Sequence, residues 1–376
     1  MTTPSYIDPE NGRSYPLAVP RWRSDDGRAL MITALRGIGR AEIDQRVRSI
    51  WRYRAALPIA LAPVSLGEGL TPLIEAPWTG TNLRFKLEWF APTCSFKDRG
   101  AAVMLSYLKQ AGVTSILEDS SGNGGAAIAA FGAAAGVKVK ILCPATTQPA
   151  KIAQMRAFGA EVQLVPGPRE ESENEAIRQS REIFYASHNW QPFFLQGTKL
   201  LAYELWEDLG FRAPDNIIIP CGAGSNVLGC DIGFSELLAA GQIARLPRLF
   251  CVQPENVAPI HACFEAGSET LLPRDWQPTI AEGTAIKRPV RLKQVLQAIT
   301  RSQGGTIAIS EAEIVAAVRQ LAAAGLYVEP TCATAAAAAG RLLASGRIRA
   351  GETSVVLLTG TGLKASSFMT ELFAKG

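Results

Sequence analysis

The chain reads as an α/β protein, and three observations predict that class. Short apolar runs are followed three times by glycine-rich segments that open onto helices or the chain's end, the strand–loop–helix form of an α/β crossover. The 376 residues suggest two or three domains' worth of chain, ample for a large core. Hydrophobic residues at 47% and charged residues at 19% describe a packed globular protein rather than a disordered one.

The first informative helix is predicted behind Ser95-Phe96-Lys97-Asp98-Arg99-Gly100. Ser95 and Asp98 have the S-x-x-D spacing of a capping box, which makes Ser95 the N-cap and Lys97 the second helical residue. Ala101, Met104, Leu105 and Leu108 then line one buried face, and the helix stops near Gly112. Lysine is a poor choice at this end. The macrodipole puts about half a positive charge there and disfavours an ammonium by roughly 0.3–1 kcal/mol. The same field, aided by burial, favours the free amine that a Schiff-base nucleophile requires.

The three glycine-rich segments follow in order. Ser115-Ile-Leu-Glu-Asp119 is a strand, followed by Ser120-Ser121-Gly122-Asn123-Gly124-Gly125 and an alanine-rich helix from about Ala126 to Ala135. Gly136 ends that helix, and the next strand runs from Val137 to Cys143. Asn216-Ile-Ile-Ile-Pro220 is a second strand, followed by Cys221-Gly222-Ala223-Gly224-Ser225-Asn226 and a helix from about Val227 to Ala240. Free backbone N–H groups at both helix starts suit a carboxylate or a phosphate. Ser354-Val-Val-Leu-Leu-Thr359 ends in Gly360-Thr361-Gly362-Leu363-Lys364, with the Thr359 hydroxyl at the carboxyl edge of an apolar strand. Ligands of open α/β sheets gather at that edge. Singly, each loop also reads as a tight turn. Together with Lys97 they are much harder to dismiss as turns alone.

Composition excludes several function classes. A net charge of +4 with no basic run interleaved with aromatics makes nucleic acid an unexpected partner. No apolar stretch reaches membrane-spanning length, and residues 1–13 lack signal-peptide character, so a cytoplasmic protein without membrane contact is expected. Seven scattered cysteines with no C-x-x-C pair fit a reduced compartment. Only two histidines, His188 and His261, are present, and neither sits in a motif for metal binding or a Ser-His-Asp triad. Both are expected to be ordinary surface or core residues. Acid–base chemistry must then come from elsewhere, such as a lysine working with an organic cofactor.

At this point the chain resembles the fold-type II pyridoxal-phosphate (PLP) enzymes, within them most the threonine synthases. The resemblance rests on residues 66–73 (LGEGLTPL), Lys86-Leu87-Glu88, residues 92–100 around Lys97, Ser121-Gly122-Asn123, Glu329-Pro330 within residues 325–335, and residues 358–364. Trp51-Arg-Tyr-Arg54 with Leu57-Pro58 also matches, so the similarity runs from about residue 50 to the C-terminus. It implies two open, twisted α/β domains around a cofactor cleft. The domains implied are residues 63–96 plus 190–376 as the larger, residues 97–189 as a smaller mobile one, and residues 1–62 as an extension packed on the larger. Residues 6–15 resemble a zinc-ribbon-like segment of some relatives without its cysteines, so no metal is expected.

Roles follow residue by residue. Lys97 resembles the Schiff-base lysine, which as a free amine moves protons at the substrate's α and β carbons. Asn123 matches the asparagine that hydrogen-bonds the cofactor's 3′-hydroxyl. Ser120, Ser121, Gly122 and Gly124 are expected to hold the substrate α-carboxylate. Gly222, Ala223, Gly224, Ser225 and Asn226 are expected to hold the cofactor phosphate, and Thr359 to face the pyridine nitrogen. Phe96 is expected to pack rather than touch the cofactor. A homodimer is what the relatives imply.

Departures from the threonine synthase pattern bear on the substrate. Phe194, in Asn189-Trp-Gln-Pro192-Phe193-Phe194, stands where an arginine is expected to bind the phosphate of O-phosphohomoserine. Cys94 replaces a glycine before Ser95. Lys287 and Arg288, near Arg291, offer a replacement substrate-anion site, with a solvated basic face as the competing reading. Serine or threonine dehydration (ammonia-lyase) and β-replacement on a non-phosphorylated amino acid therefore stay open beside threonine synthesis. An NAD-dependent dehydrogenase using the Gly122 or Gly222 loop and a non-catalytic PLP-fold binding protein are the readings from other classes.

Overall fold

The computed structural model describes residues 3–374. The chain divides into two compact units, one built from residues up to 70 together with 91–200, the other from residues 71–90 together with those from 201 on.

The first unit opens with a small antiparallel sheet in which β1 (Ser5–Ile7) lies between β2 (Ser14–Pro16) and β3 (Met31–Ile32). Residues 71–90 give the second unit β4 (Leu73–Trp78) and β5 (Thr81–Leu87), an antiparallel hairpin. Thr79 and Gly80 both have positive φ there, 45° and 85°, which matches a two-residue hairpin turn to the strand twist.

The first unit then continues as α1 (Lys97–Gln110), β6 (Ser115–Asp119), α2 (Asn123–Ala135), β7 (Lys138–Pro144), α3 (Pro149–Ala157), β8 (Glu161–Val165), α4 (Arg169–Gln179), β9 (Phe184–Tyr185) and α5 (Pro192–Thr198). Its four strands are parallel in the order β8-β7-β6-β9. After α6 (Leu200–Asp208) come β10 (Asn216–Pro220), α7 (Ser225–Ala239), β11 (Arg248–Pro254), α8 (Pro259–Glu265), α9 (Leu292–Arg301), β12 (Gly305–Ile309), α10 (Glu311–Ala323), α11 (Pro330–Ala344), β13 (Ser354–Leu358) and α12 (Ser366–Phe373). The second sheet runs β12-β11-β10-β13-β5-β4, parallel throughout except at β4. The α/β class is as expected. The middles of its central strands are buried and apolar, Ile217, Ile218 and Ile219 in β10 and Val355 to Leu358 in β13, as expected of parallel strands covered on both faces.

Each sheet has one point where the strand order reverses. In the first, the chain moves outward from β6 to β7 and β8, then returns to β9 on the other side of β6. In the second it moves from β10 to β11 and β12, then returns to β13 on the other side of β10. Loops at the carboxyl ends of the flanking strands leave a crevice at such a point, where open α/β sheets bind ligands.

Two expectations need correction. Residues 1–62 pack in the unit that contains residues 97–189, not on the larger one. The reason is aromatic: the buried Tyr6 hydroxyl donates to Tyr107 on α1 at 2.7 Å, and Trp22 meets Tyr185 of β9 edge-on at 5.0 Å. The two loop helices also begin earlier than expected, at Asn123 and at Ser225, so Asn123, Ser225 and Asn226 are helical residues. Among the described residues no helix is long and apolar enough to cross a membrane.

Candidate active site

The lysine helix starts one residue later than its capping signal implies. Lys97 is the first residue of α1, Phe96 occupies the cap, and no side chain accepts from the first turn. Ser95 is fully buried and its hydroxyl has no hydrogen-bond partner. Asp98 turns back instead: its carboxylate accepts from the Thr93 backbone N–H at 2.6 Å and from the Thr93 hydroxyl. The S-x-x-D signal thus falls one residue short of the helix start, and its acidic residue makes a different bond. Cys94 lies between these groups with φ of 62°, the left-handed region that explains why glycine is the usual residue there.

Two aromatic rings surround the half-buried lysine. Its Nζ lies 4.4 Å from the Phe96 ring centroid and 5.7 Å from that of Phe194. Phe96 therefore touches the amine rather than serving as packing alone. Phe194 is fully buried on α5, and its ring fills the space beside Gly100 so closely that a Cβ there would come within 2.5 Å. Where an arginine was expected, the chain places an apolar lock between α5 and the lysine helix.

The loop of residues 120–124 sits at the reversal point of the first sheet. Ser120 is buried, Ser121, Gly122 and Asn123 are half-buried, and the Gly122 N–H approaches the Ser120 hydroxyl at 3.4 Å. His188, on the loop after the neighbouring strand β9, presses its ring on this loop. A Cβ at Gly124 would lie 2.8 Å from two of the imidazole atoms. His188 Nδ1 shares a hydrogen bond with Glu118 of β6, and its backbone N–H donates to the other Glu118 oxygen at 3.1 Å. Burial, together with the charge of Asp119, pushes the Glu118 carboxyl well above its ordinary range. Burial, with the charges of Lys97 and Arg169, holds the imidazole well below its own. Sequence reasoning missed this pair. The available signal was position: His188 directly precedes the Asn189–Pro192 stretch already singled out.

The second unit gathers the other expected residues at its own reversal point. Residues 222–226 follow β10, and Thr359 follows its sheet neighbour β13. Gly224 caps α7 with φ of 95° and no side-chain hydrogen bond, while its empty side faces Val295 of α9 too closely for a Cβ. Gly222 is covered by residues 283–286, with Ile286, the Gly283 carbonyl and Thr284 at 3.1–3.2 Å from where a Cβ would stand. The Asn226 side chain is 3% exposed, and neither its oxygen nor its nitrogen has a hydrogen-bond partner. Lys287 and Arg288 continue from the covering segment and are exposed; Arg291, one turn before Val295, is buried, and burial pulls its pKa down to about 9. Thr359 is buried beside Cys332, whose Sγ lies 3.5 Å from the hydroxyl and accepts from the Gly360 N–H at 3.0 Å. Cys332 was not foreseen as part of this corner.

The loops thus form two anion-ready sets, one in each unit. Among the described residues, no group of three or more His, Cys, Asp or Glu is arranged for a metal ion.

Comparison with known proteins shows the family. The family model described as pyridoxal-phosphate dependent enzyme matches residues 64–360. The threonine synthase of Methanosarcina acetivorans is 33% identical over 325 residues, covering 84% of this chain and 80% of that protein. The threonine synthase of Methanocaldococcus jannaschii is 33% identical over 337 residues, covering 87% and 83%. Among solved structures, an L-serine ammonia-lyase from Rhizomucor miehei superimposes with a TM-score of 0.72 at 23% identity, covering 82% of this chain and 98% of that one. Threonine deaminase isoform 2 from Solanum lycopersicum gives 0.70 at 23% identity, covering 81% and 84%. At such identities the structural likeness speaks for the fold.

Proposed function

Because the chain belongs to the pyridoxal-phosphate dependent enzymes, of fold type II and threonine synthase-like, we propose that it is a lyase acting on a β- or γ-substituted amino acid. The reaction nearest to it is threonine synthesis from O-phosphohomoserine. The observation that carries this reading is the coincidence, in each unit, of the expected binding loop with the reversal point of the sheet.

The residues present fit the cofactor. The α7 start offers backbone N–H groups with no side-chain cap, and the buried Asn226 amide lacks any protein partner. Both suit a dianionic phosphate held by residues 222–226. When bound, pyridoxal phosphate supplies an electron-accepting ring that stabilises negative charge developing at the substrate α-carbon. Lys97 is the residue that links it and that moves the α-proton, aided by the positive end of α1. Asn123, first in α2, is assigned to the cofactor hydroxyl. Ser120, Ser121 and the N–H groups of residues 122–124 are assigned to the substrate carboxylate. The Thr359 hydroxyl is assigned to the ring nitrogen, where it cannot hold a proton as a carboxylate does, so the ring is a milder electron acceptor suited to eliminations.

A second reading is favoured by Phe194, which is buried against Gly100 and presents no cation to a substrate phosphate. It is a lyase for a non-phosphorylated amino acid. The deciding experiment offers O-phosphohomoserine, serine, threonine, O-acetylserine and diaminopropionate to the purified holoenzyme. Threonine and phosphate from the first substrate support the synthase. Ammonia or a keto acid from the others, with none from the first, supports the second reading. No turnover of any of them refutes both.

A further inference from the structure

At the amino-terminal ends of β10 to β13 the second unit carries a cleft of about 460 Å³. It lies at the end of the sheet opposite residues 222–226 and Thr359, a strand length away, or roughly 15 Å. Five arginines line it, Arg245, Arg248, Arg301, Arg347 and Arg349, against two carboxylates, Asp215 and Glu352. Both carboxylates are already engaged. Asp215 accepts from the Thr353 N–H at 2.8 Å and pairs with Arg245. Glu352 accepts from Arg248 at 2.6 Å, from the Asn216 amide at 2.9 Å and from the Arg349 N–H at 3.1 Å. Arg301 pairs with Asp231 outside the cleft. Among the described residues, neither the Arg347 nor the Arg349 guanidinium makes an ion pair. Two positive charges are left uncompensated.

Arg347 is also held in place. Its guanidinium lies 5.3 Å from the Phe250 ring centroid, with Arg248 at 5.7 Å from the same ring. Gly305 is the register partner of Phe250, and a Cβ at Gly305 would strike the Arg347 guanidinium. The Arg347 carbonyl accepts from Arg248 at 2.8 Å. A guanidinium fixed on an aromatic face and lacking a carboxylate has already given up the freedom that anion binding would cost.

We propose that this cleft binds a small ligand carrying a phosphate group, gripped by Arg347 and Arg349. The volume is that of a small-molecule site, and planar guanidinium forks match phosphate oxygens in pairs. The proposal is independent of the reaction assigned above. Titration calorimetry of the holoenzyme tests it with pyrophosphate and AMP, with citrate as a polyanion lacking phosphate, at matched ionic strength. The expected result is saturable binding of pyrophosphate or AMP, weakened at least tenfold in the Arg347→Ala/Arg349→Ala variant, kept in an Arg178→Ala control, with citrate weaker. Absence of saturable binding, equal affinity in the double variant, or citrate binding as tightly as the phosphates overturns it.

Discussion

His188 Nδ1 and Glu118 share a hydrogen bond directly beneath the loop assigned to the substrate carboxylate, and the backbone of the same histidine ties the second carboxyl oxygen at 3.1 Å. The directions of both pKa shifts, histidine down and glutamate up, favour a buried pair that holds one proton between the ordinary values of its two groups, whichever atom carries it.

That proton count sets a pH dependence. Between the ordinary values of 4.5 for Glu118 and 6.5 for His188 the unfolded pair also holds one proton, so the pair contributes no slope to stability there. Removing one partner exposes the other. In His188→Gln, burial favours protonated Glu118 in the fold where the unfolded carboxyl ionises, so stability falls as pH rises through that window. In Glu118→Gln, the unfolded histidine takes a proton that the folded one refuses, so stability falls as pH drops below 6.5. Denaturant titrations at pH 5.0 and 6.5, each relative to wild type, check the two opposite tilts; parallel profiles would remove the pair as the cause.

The Phe194–Gly100 contact predicts a non-additive pair of substitutions. Gly100→Ala places a methyl group into the Phe194 ring and is expected to cost about 1–3 kcal/mol. Phe194→Ala empties a fully buried site and is expected to cost about 3–5 kcal/mol. The double variant should be more stable than the sum of the two losses implies, because the new methyl enters the vacated space. Additive losses would show that the two sites do not share this volume.

The classes and the loops were legible because they depend on local rules. Strand–glycine–helix alternation identifies β6, β10 and the helices behind them, and it marks residues 120–124 and 222–226 as anion-ready. The capping spacing at Ser95 and Asp98 marks the start of α1 to within one residue but misassigns the bond, since Asp98 reaches Thr93 when the chain turns at Cys94. What escaped was non-local. His188 meets Glu118 across 70 positions of chain, and Cys332 meets Thr359 across 27. Neither meeting leaves a periodic trace in the sequence. The placement of residues 1–62 also escaped, because Tyr6 and Tyr107 are joined only by the fold.

Lys97→Ala tests the covalent link. Borohydride reduction and digestion of the wild-type holoenzyme should yield a pyridoxyl group on the peptide containing Lys97. The variant should carry none, and its turnover should fall by about 100- to 10,000-fold. Detection of the adduct on another peptide would move the site.

Gly224→Ala tests the phosphate loop. Alanine at φ of 95° is strained, and its methyl group would meet Val295, so the turn into α7 must shift. The expected outcome is at least a tenfold loss of pyridoxal-phosphate affinity by absorbance titration, with near-normal behaviour of the first unit in hydrogen exchange. Unchanged cofactor affinity would remove residues 222–226 from the phosphate site.

Tyr107 projects from the helix that begins with Lys97, stacks on Phe193 at 3.7 Å, and its hydroxyl donates a hydrogen bond to the Leu17 carbonyl at 2.8 Å. Trimming the chain to the span shared with its family would uncover that aromatic pair and cut the leader that braces the lysine helix from behind. A shortened protein starting at residue 64 should therefore bind a hydrophobic dye and lose protease resistance. Those who engineer this chain would do well to treat its opening segment as a strut and attach tags beyond it.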